Sequence, residues 1–311
     1  MRAVVYTAFG GPDVLHTIEI PTPEAGPGRI VVRVEAAGVN PIDAKLRSGM
    51  RASQTIDKPR RIGMDGAGIV VDVGPDVDGF RVGDPVVFAR TFGAYAEFVA
   101  VKADAATLRP ANVSAAAAAG IGIPFATAYQ SLRSLDVRSD DVLLIHGGSG
   151  AVGQAAIQFA TLWGAEVIAT ASPARAETVA ELGATPVSYA DDVVAAVRAT
   201  GLVPTVVLDA AGADAALAAS LELVPDRSRI ATIVRGADAA GLGIRAFSGG
   251  SPEPLTAQQE AWRVEALPVT VNLLAAGAAR IEEGPAFSMA DAGDAHRAVM
   301  AGARGKVTIR P

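Results

Sequence analysis

The chain contains no cysteine, which excludes disulfides, thiolate metal ligands and cysteine nucleophiles and leaves the redox compartment unmarked. It also lacks an excess of basic residues. Its 27 Lys and Arg face 33 Asp and Glu, a net charge of −6 that gives no electrostatic footprint for nucleic acid or an anionic membrane, so neither is expected as a partner. Long hydrophobic runs are missing too. The alanine-rich stretches are broken by Gly, Pro or charge well before the ~18 residues of a membrane span, and the N-terminal MRAVVYTAFGGPDV has neither the apolar core nor the cleavage site of a secretory signal. A cytoplasmic location is the default expectation.

What is present is apolar material for large cores: 50% of the 311 residues are hydrophobic, and the length suits about two domains. The stretch that organises the rest is DVLLIHGGSGAVG, from Asp141 to Gly153. Val142 to Ile145 form a continuous apolar run, the pattern of a parallel strand covered on both faces. Gly148, Gly150 and Gly153 follow in G-x-G-x-x-G spacing, and AVGQAAIQFATLWGA after them has the composition of a helix ending near Gly164. In that setting the first glycine permits the tight turn, the second admits a pyrophosphate to the backbone, and the third lets helix and strand pack closely. Free N–H groups at the helix N-terminus then face the anion. In a chain with 33 glycines the spacing alone is weak, and the strand and helix around it give it weight.

The second strand is EVIAT, Glu166 to Thr170, ending about where an NAD-binding fold places an acid for the ribose 2′-hydroxyl. No acid is there. The chain reads Thr170-Ala171-Ser172-Pro173-Ala174-Arg175, a small hydroxyl and a cation placed to receive a 2′-phosphate, which favours NADPH over NADH. Arg175 also reads as a solvated arginine on the first turn of the next helix, and Glu177 beside it weakens the case for phosphate.

The first hundred residues alternate β-rich runs with turn signals. Ala3–Tyr6, Ile30–Glu35, Gly68–Val73, Pro85–Phe88 and Tyr95–Val101 are separated by Gly10-Gly11-Pro12, Pro27-Gly28, Gly74-Pro75-Asp76 and Gly83-Asp84, which predicts a β-barrel domain. Near Asn112 the composition changes to SAAAAAGIGIPFATAYQSL. After the glycine-rich turn a helix over Ala174–Leu182, a strand over Pro186–Tyr189, a helix over Val193–Ala199, a strand over Val206–Asp209, a helix over Leu217–Leu223 and a strand over Arg229–Val234 are expected. Such alternation describes a doubly wound parallel sheet, so the fold class is α/β. Gly236–Glu260 reads as loops, and GKVTIRP at the end as a strand returning to the first domain.

Several motifs together resemble the medium-chain dehydrogenase/reductase superfamily, and within it the zinc-independent quinone oxidoreductase group: AAGVNPIDAKLRSG at 36–49, GMDGAGIVVDVG at 63–74, GAYAEFV at 93–99, the glycine-rich turn, and GKVTI at 305–309. The resemblance implies a GroES-like β-barrel domain over 1–115, joined by 262–311, and a Rossmann NADPH-binding domain over 116–261. It departs from the zinc-dependent branch. Asn40 stands where that branch carries its first zinc-ligating cysteine, Met64-Asp65 replaces its His-Glu pair, and the cysteine-rich lobe has no counterpart. Asn, Met and one carboxylate match poorly the N and S ligands zinc prefers, so no metal is expected.

The resemblance further implies hydride transfer from NADPH to a quinone or an α,β-unsaturated carbonyl, a small-molecule substrate, and a homodimer formed through the nucleotide domain. Asn40 and Asp43 match its N-P-x-D motif near the nicotinamide ribose and substrate, and Lys45 is a candidate to support the developing enolate oxygen or relay a proton. Ser149, Ala151, Val152 and Gly153 would meet the pyrophosphate, Ser172 and Arg175 the 2′-phosphate with Tyr189 beside them, and Thr127 the nicotinamide. Each has a plainer reading: a turn for Asn40-Pro41, a surface lysine for Lys45, packing for Thr127, a half-buried strand-end aromatic for Tyr189. His146 is read as a strand-end residue, since no acidic or serine partner stands near it in sequence. Two rival functions share the motifs, an enoyl-thioester reductase and a non-catalytic, crystallin-like NADPH-binding protein. Met50–Arg61 and Gly236–Glu260 are expected to shape the acceptor pocket.

Overall fold

The β-rich runs of the first third become strands of two sheets in the computed structural model, which describes residues 1–50, 55–247, 251 and 253–311. In chain order these are β1 (Arg2–Tyr6), β2 (His16–Glu19), β3 (Arg29–Gly38), helix α1 (Pro41–Arg47), β4 (Arg60–Arg61), β5 (Asp65–Val73), β6 (Pro85–Phe88), β7 (Phe98–Lys102) and β8 (Ala106–Leu108). The short helix α2 (Ala115–Ala118) leads to α3 (Gly122–Ser134). The α/β alternation follows as β9 (Val142–His146), α4 (Ala151–Leu162), β10 (Glu166–Ala171), α5 (Ala176–Glu181), β11 (Thr185–Ser188), α6 (Val193–Ala199), β12 (Val206–Asp209), α7 (Asp214–Leu223), β13 (Ile230–Thr232), α8 (Gly236–Leu242) and β14 (Arg245–Ala246). The chain closes with α9 (Ala257–Ala275), β15 (Glu283–Ser288), α10 (Ala292–Met300) and β16 (Lys306–Arg310).

Two compact units result, Met1–Ile123 with Leu267–Pro311, and Pro124–Ala266. In the first, β2, β1 and β4 form one sheet, and a larger one runs β15-β16-β3-β5-β6-β8 with β7 also on β3. Strand β3 carries consecutive apolar residues because it is buried along most of its length; Ile30, Val32, Val86, Phe88, Tyr95 and Ile309 meet in one core. Its register positions the site. Gly38 pairs with Asp65 on one side and with Thr308 on the other, so the ends of β3, β5 and β16 converge where α1 begins.

In the second unit every strand pairing is parallel, in the order β11-β10-β9-β12-β13-β14. Ile168, Leu144, Val207 and Ile230 stand in register across four strands and are fully buried, which accounts for the continuous apolar runs read from the sequence. The chain moves outward one way from β9 through β11 and the other way from β12, so the switch point lies between β9 and β12.

The reading of Gly236–Glu260 as loops is corrected. It holds α8, β14 and the start of α9, while 248–250 and 252 lie outside the described residues, as do 51–54 of the other expected pocket segment. Glycines at the first and sixth positions of α8 and a left-handed Gly243 just after it hid a short helix from a propensity reading. The expected helix from Ala174 is also later and shorter: Pro173–Arg175 form a single tight turn before α5.

Candidate active site

At the converging strand ends of the first unit, five polar side chains are buried together. Asn40 caps α1, and the Asp43 carboxylate in the helix's first turn reaches back to accept from the Asn40 backbone N–H at 2.9 Å. Tyr95 donates its hydroxyl to the same Oδ2 at 2.9 Å. The side chain of Asn40 is turned elsewhere. Its Oδ1 accepts from Lys306 Nζ at 2.5 Å and its Nδ2 donates to Asp65 Oδ2 at 2.8 Å. Asp65 Oδ2 also accepts from the Ile123 backbone N–H at 2.7 Å, at the start of α3, where a partial positive charge favours an anion. That approach requires glycine at 122, since a Cβ there would stand 2.1 Å from Asp65 Oδ1. None of the five is more than 7% exposed.

Burial sets the electrostatics. It pushes the Asp43 carboxyl up to about 7, against the bonds from Asn40 and Tyr95 and with help from the charge of Asp65. Asp65 is raised for the same reason, and the Lys306 ammonium, the Ile123 N–H and Asn40 hold it down. Lys306 is lowered by burial against the attraction of both carboxylates. Two acids thus face one ammonium out of water, and burial holds the Asp43 carboxyl well above the usual carboxylate range.

The structure brings Asn40 and Asp43 together and leaves Lys45 aside: it is half-buried in the last turn of α1 and its side chain enters none of these bonds. The lysine of the cluster is Lys306. Sequence reasoning named neither it nor Tyr95 as a site residue and took Asp65 only as a lost zinc ligand. All three lie inside motifs already singled out, GKVTI, GAYAEFV and GMDGAG, and that was the signal available.

The second cluster lies at the C-terminal edge of the parallel sheet. The positive φ of +80° belongs to Gly147, so the tight turn expected of Gly148 is made one residue earlier. Gly148 instead packs against β10, where a Cβ would meet that of Ala169 at 2.6 Å, and its N–H donates to Thr170 O at 2.9 Å. Gly153 lies on the turn itself, and a Cβ there would stand 2.2 Å from Gly147 O. Gln154 Nε2 donates to Ser149 O at 2.8 Å and ties the turn to α4. Gly150 caps that helix with no side-chain hydrogen bond, and Gly150 and Ala151 are exposed, so the first N–H groups of α4, those of Ala151 and Val152 among them, are offered outward.

Ser172 and Tyr189 directly follow the paired residues Ala171 and Ser188, which sets them at neighbouring strand ends. Arg175 closes the turn after Ser172, and its N–H donates to Ser172 O at 2.9 Å. Tyr189 is 58% exposed, so it is not the half-buried aromatic of the plainer reading. Thr127 is buried in α3 and accepts from Arg263 Nη2 at 3.3 Å. His146 does end β9, yet an acid stands beside it: the register pairs it with Asp209 of β12, whose charge only partly opposes the burial that pushes His146 down to about 4. Sequence distance hid that neighbour.

Among the described residues no group of three His, Asp or Glu is placed to hold a metal, and no helix is long and apolar enough to cross a membrane.

Family models match two segments, the alcohol dehydrogenase GroES-like domain at residues 26–111 and the zinc-binding dehydrogenase domain at residues 151–245. An Arabidopsis thaliana NADPH-dependent alkenal/one oxidoreductase is 36% identical over 196 residues, 59% of this chain and 51% of the relative. The chain spans about half the length of the curated relatives it matches. Among solved structures, an alcohol dehydrogenase superfamily protein from Novosphingobium aromaticivorans is 30% identical with a TM-score of 0.83, covering 100% of this chain and 99% of that one. Escherichia coli quinone oxidoreductase complexed with NADPH is 26% identical with a TM-score of 0.84, covering 100% of both chains.

Proposed function

Because the chain belongs to the medium-chain dehydrogenase/reductase superfamily, in its quinone oxidoreductase group, we propose that it is an NADPH-dependent oxidoreductase that passes hydride to a quinone or an α,β-unsaturated carbonyl without zinc. The observation that carries this reading is the turn after β9: an exposed helix start with no side-chain cap, Gly153 pressed on Gly147, and β10 followed directly by Ser172 and Arg175 with no acid at its end. The N–H groups of Ala151, Val152 and Gly153, with Ser149, suit a pyrophosphate, and Ser172, Arg175 and Tyr189 suit a 2′-phosphate. NADPH bound there supplies the hydride.

Zinc independence rests on the donor set. Asn40 Oδ1 already accepts from an ammonium, so a divalent cation beside it would meet Lys306, and Asp65 spends one oxygen on two N–H donors. Asn40 and Asp43 are assigned to the nicotinamide ribose and acceptor, Thr127 to the nicotinamide, and Lys45 to the developing oxyanion, which a nearby cation stabilises. A homodimer accompanies this reading, with β14 standing at one edge of the parallel sheet among the described residues.

NADPH oxidation with a panel of simple quinones and short enones tests the proposal. Turnover that persists in a chelator and prefers NADPH to NADH is expected; loss of turnover in chelator would overturn the zinc-free reading. In Arg175→Ala, the NADPH KM should rise by about 10–100-fold, the worth of a charge-assisted phosphate contact, while the NADH KM stays within about twofold. Equal shifts for both cofactors would remove Arg175 from the 2′-phosphate.

A further inference from the structure

Lys306 looks in sequence like an ordinary lysine after a glycine, and the sheet register moves it to the centre of the first unit. Thr308 pairs with Gly38 and Ile309 with Ala37, so two residues before Thr308 the chain stands opposite Asn40. The Val39 N–H donates to Val307 O at 2.9 Å and fixes that alignment. The lysine stem lies between two glycines: a Cβ at Gly38 would be 2.9 Å from its Cε, and one at Gly120 3.2 Å from its Cγ. Side chains at either place would crowd it out.

The amide of Asn40 stands between this ammonium and the Asp65 carboxylate. An amide turned by half a rotation would set its NH2 against the ammonium and its oxygen against the carboxylate, exchanging two charge-assisted hydrogen bonds for two repulsions. Opposite charges on its two sides therefore leave the amide one orientation. Neutral partners would hold it far less firmly, because their hydrogen bonds are about half as strong.

We propose that Lys306 is a positioning residue for hydride transfer, acting through Asn40, whose amide it orients at the corner between β3 and α1. The proposal rests on the oxidoreductase reading, in which Asn40 lies beside the nicotinamide ribose. Its ammonium also balances Asp65, so removing it alone leaves a buried carboxylate without a cation. A paired variant separates the two effects.

Lys306→Met keeps the length of the stem and removes the charge, and Lys306→Met/Asp65→Asn removes both charges. Both are compared with the unmutated protein and with Asn40→Ala for kcat, for NADPH affinity by fluorescence and for urea midpoint. Lys306→Met should lower kcat at least tenfold and lower the midpoint. The double variant should recover the midpoint while kcat stays at least tenfold down. Added to Asn40→Ala, Lys306→Met should lower kcat by less than a further twofold, because the group it orients is gone. Unmutated kcat in the double variant, or the full tenfold loss repeated in the Asn40→Ala background, would overturn the positioning role. Absence of turnover in the unmutated protein would overturn the oxidoreductase reading instead; NADPH affinity that falls with Lys306→Met but not further when Lys306→Met is added to Asn40→Ala would then still show Lys306 orienting Asn40, and an equal fall in both backgrounds would overturn that orientation.

Discussion

Gly153→Ala is expected to weaken NADPH binding by at least 100-fold and to lower folding stability by about 2 kcal/mol, the range of an overpacked interior. The added methyl carbon would stand 2.2 Å from Gly147 O, 2.7 Å from Gly148 Cα and 2.9 Å from Gly148 C. All three are backbone atoms, so no side chain can swing away. Helix α4 must retreat from the turn, and the N–H groups of Ala151 and Val152 move with it, out of line with any pyrophosphate the turn receives. Gly241→Ala is the matched control: it lies within α8 and nothing stands within 4 Å of its added Cβ. There the substitution should leave NADPH affinity unchanged and stabilise by up to about 1 kcal/mol, the helix-propensity difference. Fluorescence titration and urea unfolding of the two variants supply the comparison. Gly153→Ala binding within threefold of the unmutated protein would mean that the turn does not receive the pyrophosphate.

The parallel sheet was legible because its signal is local. Val142–Ile145 is a run of apolar neighbours, and a strand buried on both faces needs no partner in sequence to be recognised. The glycine spacing was legible for the same reason, though not the division of labour within it: Gly147, outside the motif, takes the positive φ. Short elements failed where composition and structure disagree, as in α8, a helix of seven residues with glycines at its first and sixth positions. The first unit's charged cluster was beyond a linear reading. Lys306 and Asn40 are 266 residues apart, and a lysine or aspartate in isolation defaults to the surface. Only the register of β16 on β3 and of β3 on β5 turns three separately read motifs into one buried network. The same limit concealed Asp209 beside His146, since adjacent parallel strands are far apart in the chain.

Burial without partners makes His296 the other position of large expected effect. It is fully buried on α10, its ring meets Tyr95 edge-on at 5.9 Å, and neither ring nitrogen has a hydrogen-bond partner among the described residues. Burial, with the nearby charge of Arg47, pushes it down to about 4, whereas the unfolded chain titrates at the ordinary 6.5. Between those values the unfolded state binds more protons than the folded one. The contribution of His296 is therefore fully present above pH 6.5 and is lost as pH falls toward 4, reaching about 2 kcal/mol at pH 5. His296→Phe keeps a ring against Tyr95 and removes both nitrogens and the titration. It should be more stable than the unmutated protein by about 1 kcal/mol at pH 7.5, where only the unsatisfied polar atoms are relieved, and by about 3 kcal/mol at pH 5. His146, lowered for a similar reason, and Asp43, raised and therefore opposite in sign, are present in both proteins and cancel in the difference. Urea unfolding at the two pH values measures it. A difference that does not grow on acidification would show that His296 is not held neutral by the fold, and a loss of stability at pH 7.5 would show that its nitrogens are bonded through water that the apolar ring cannot replace.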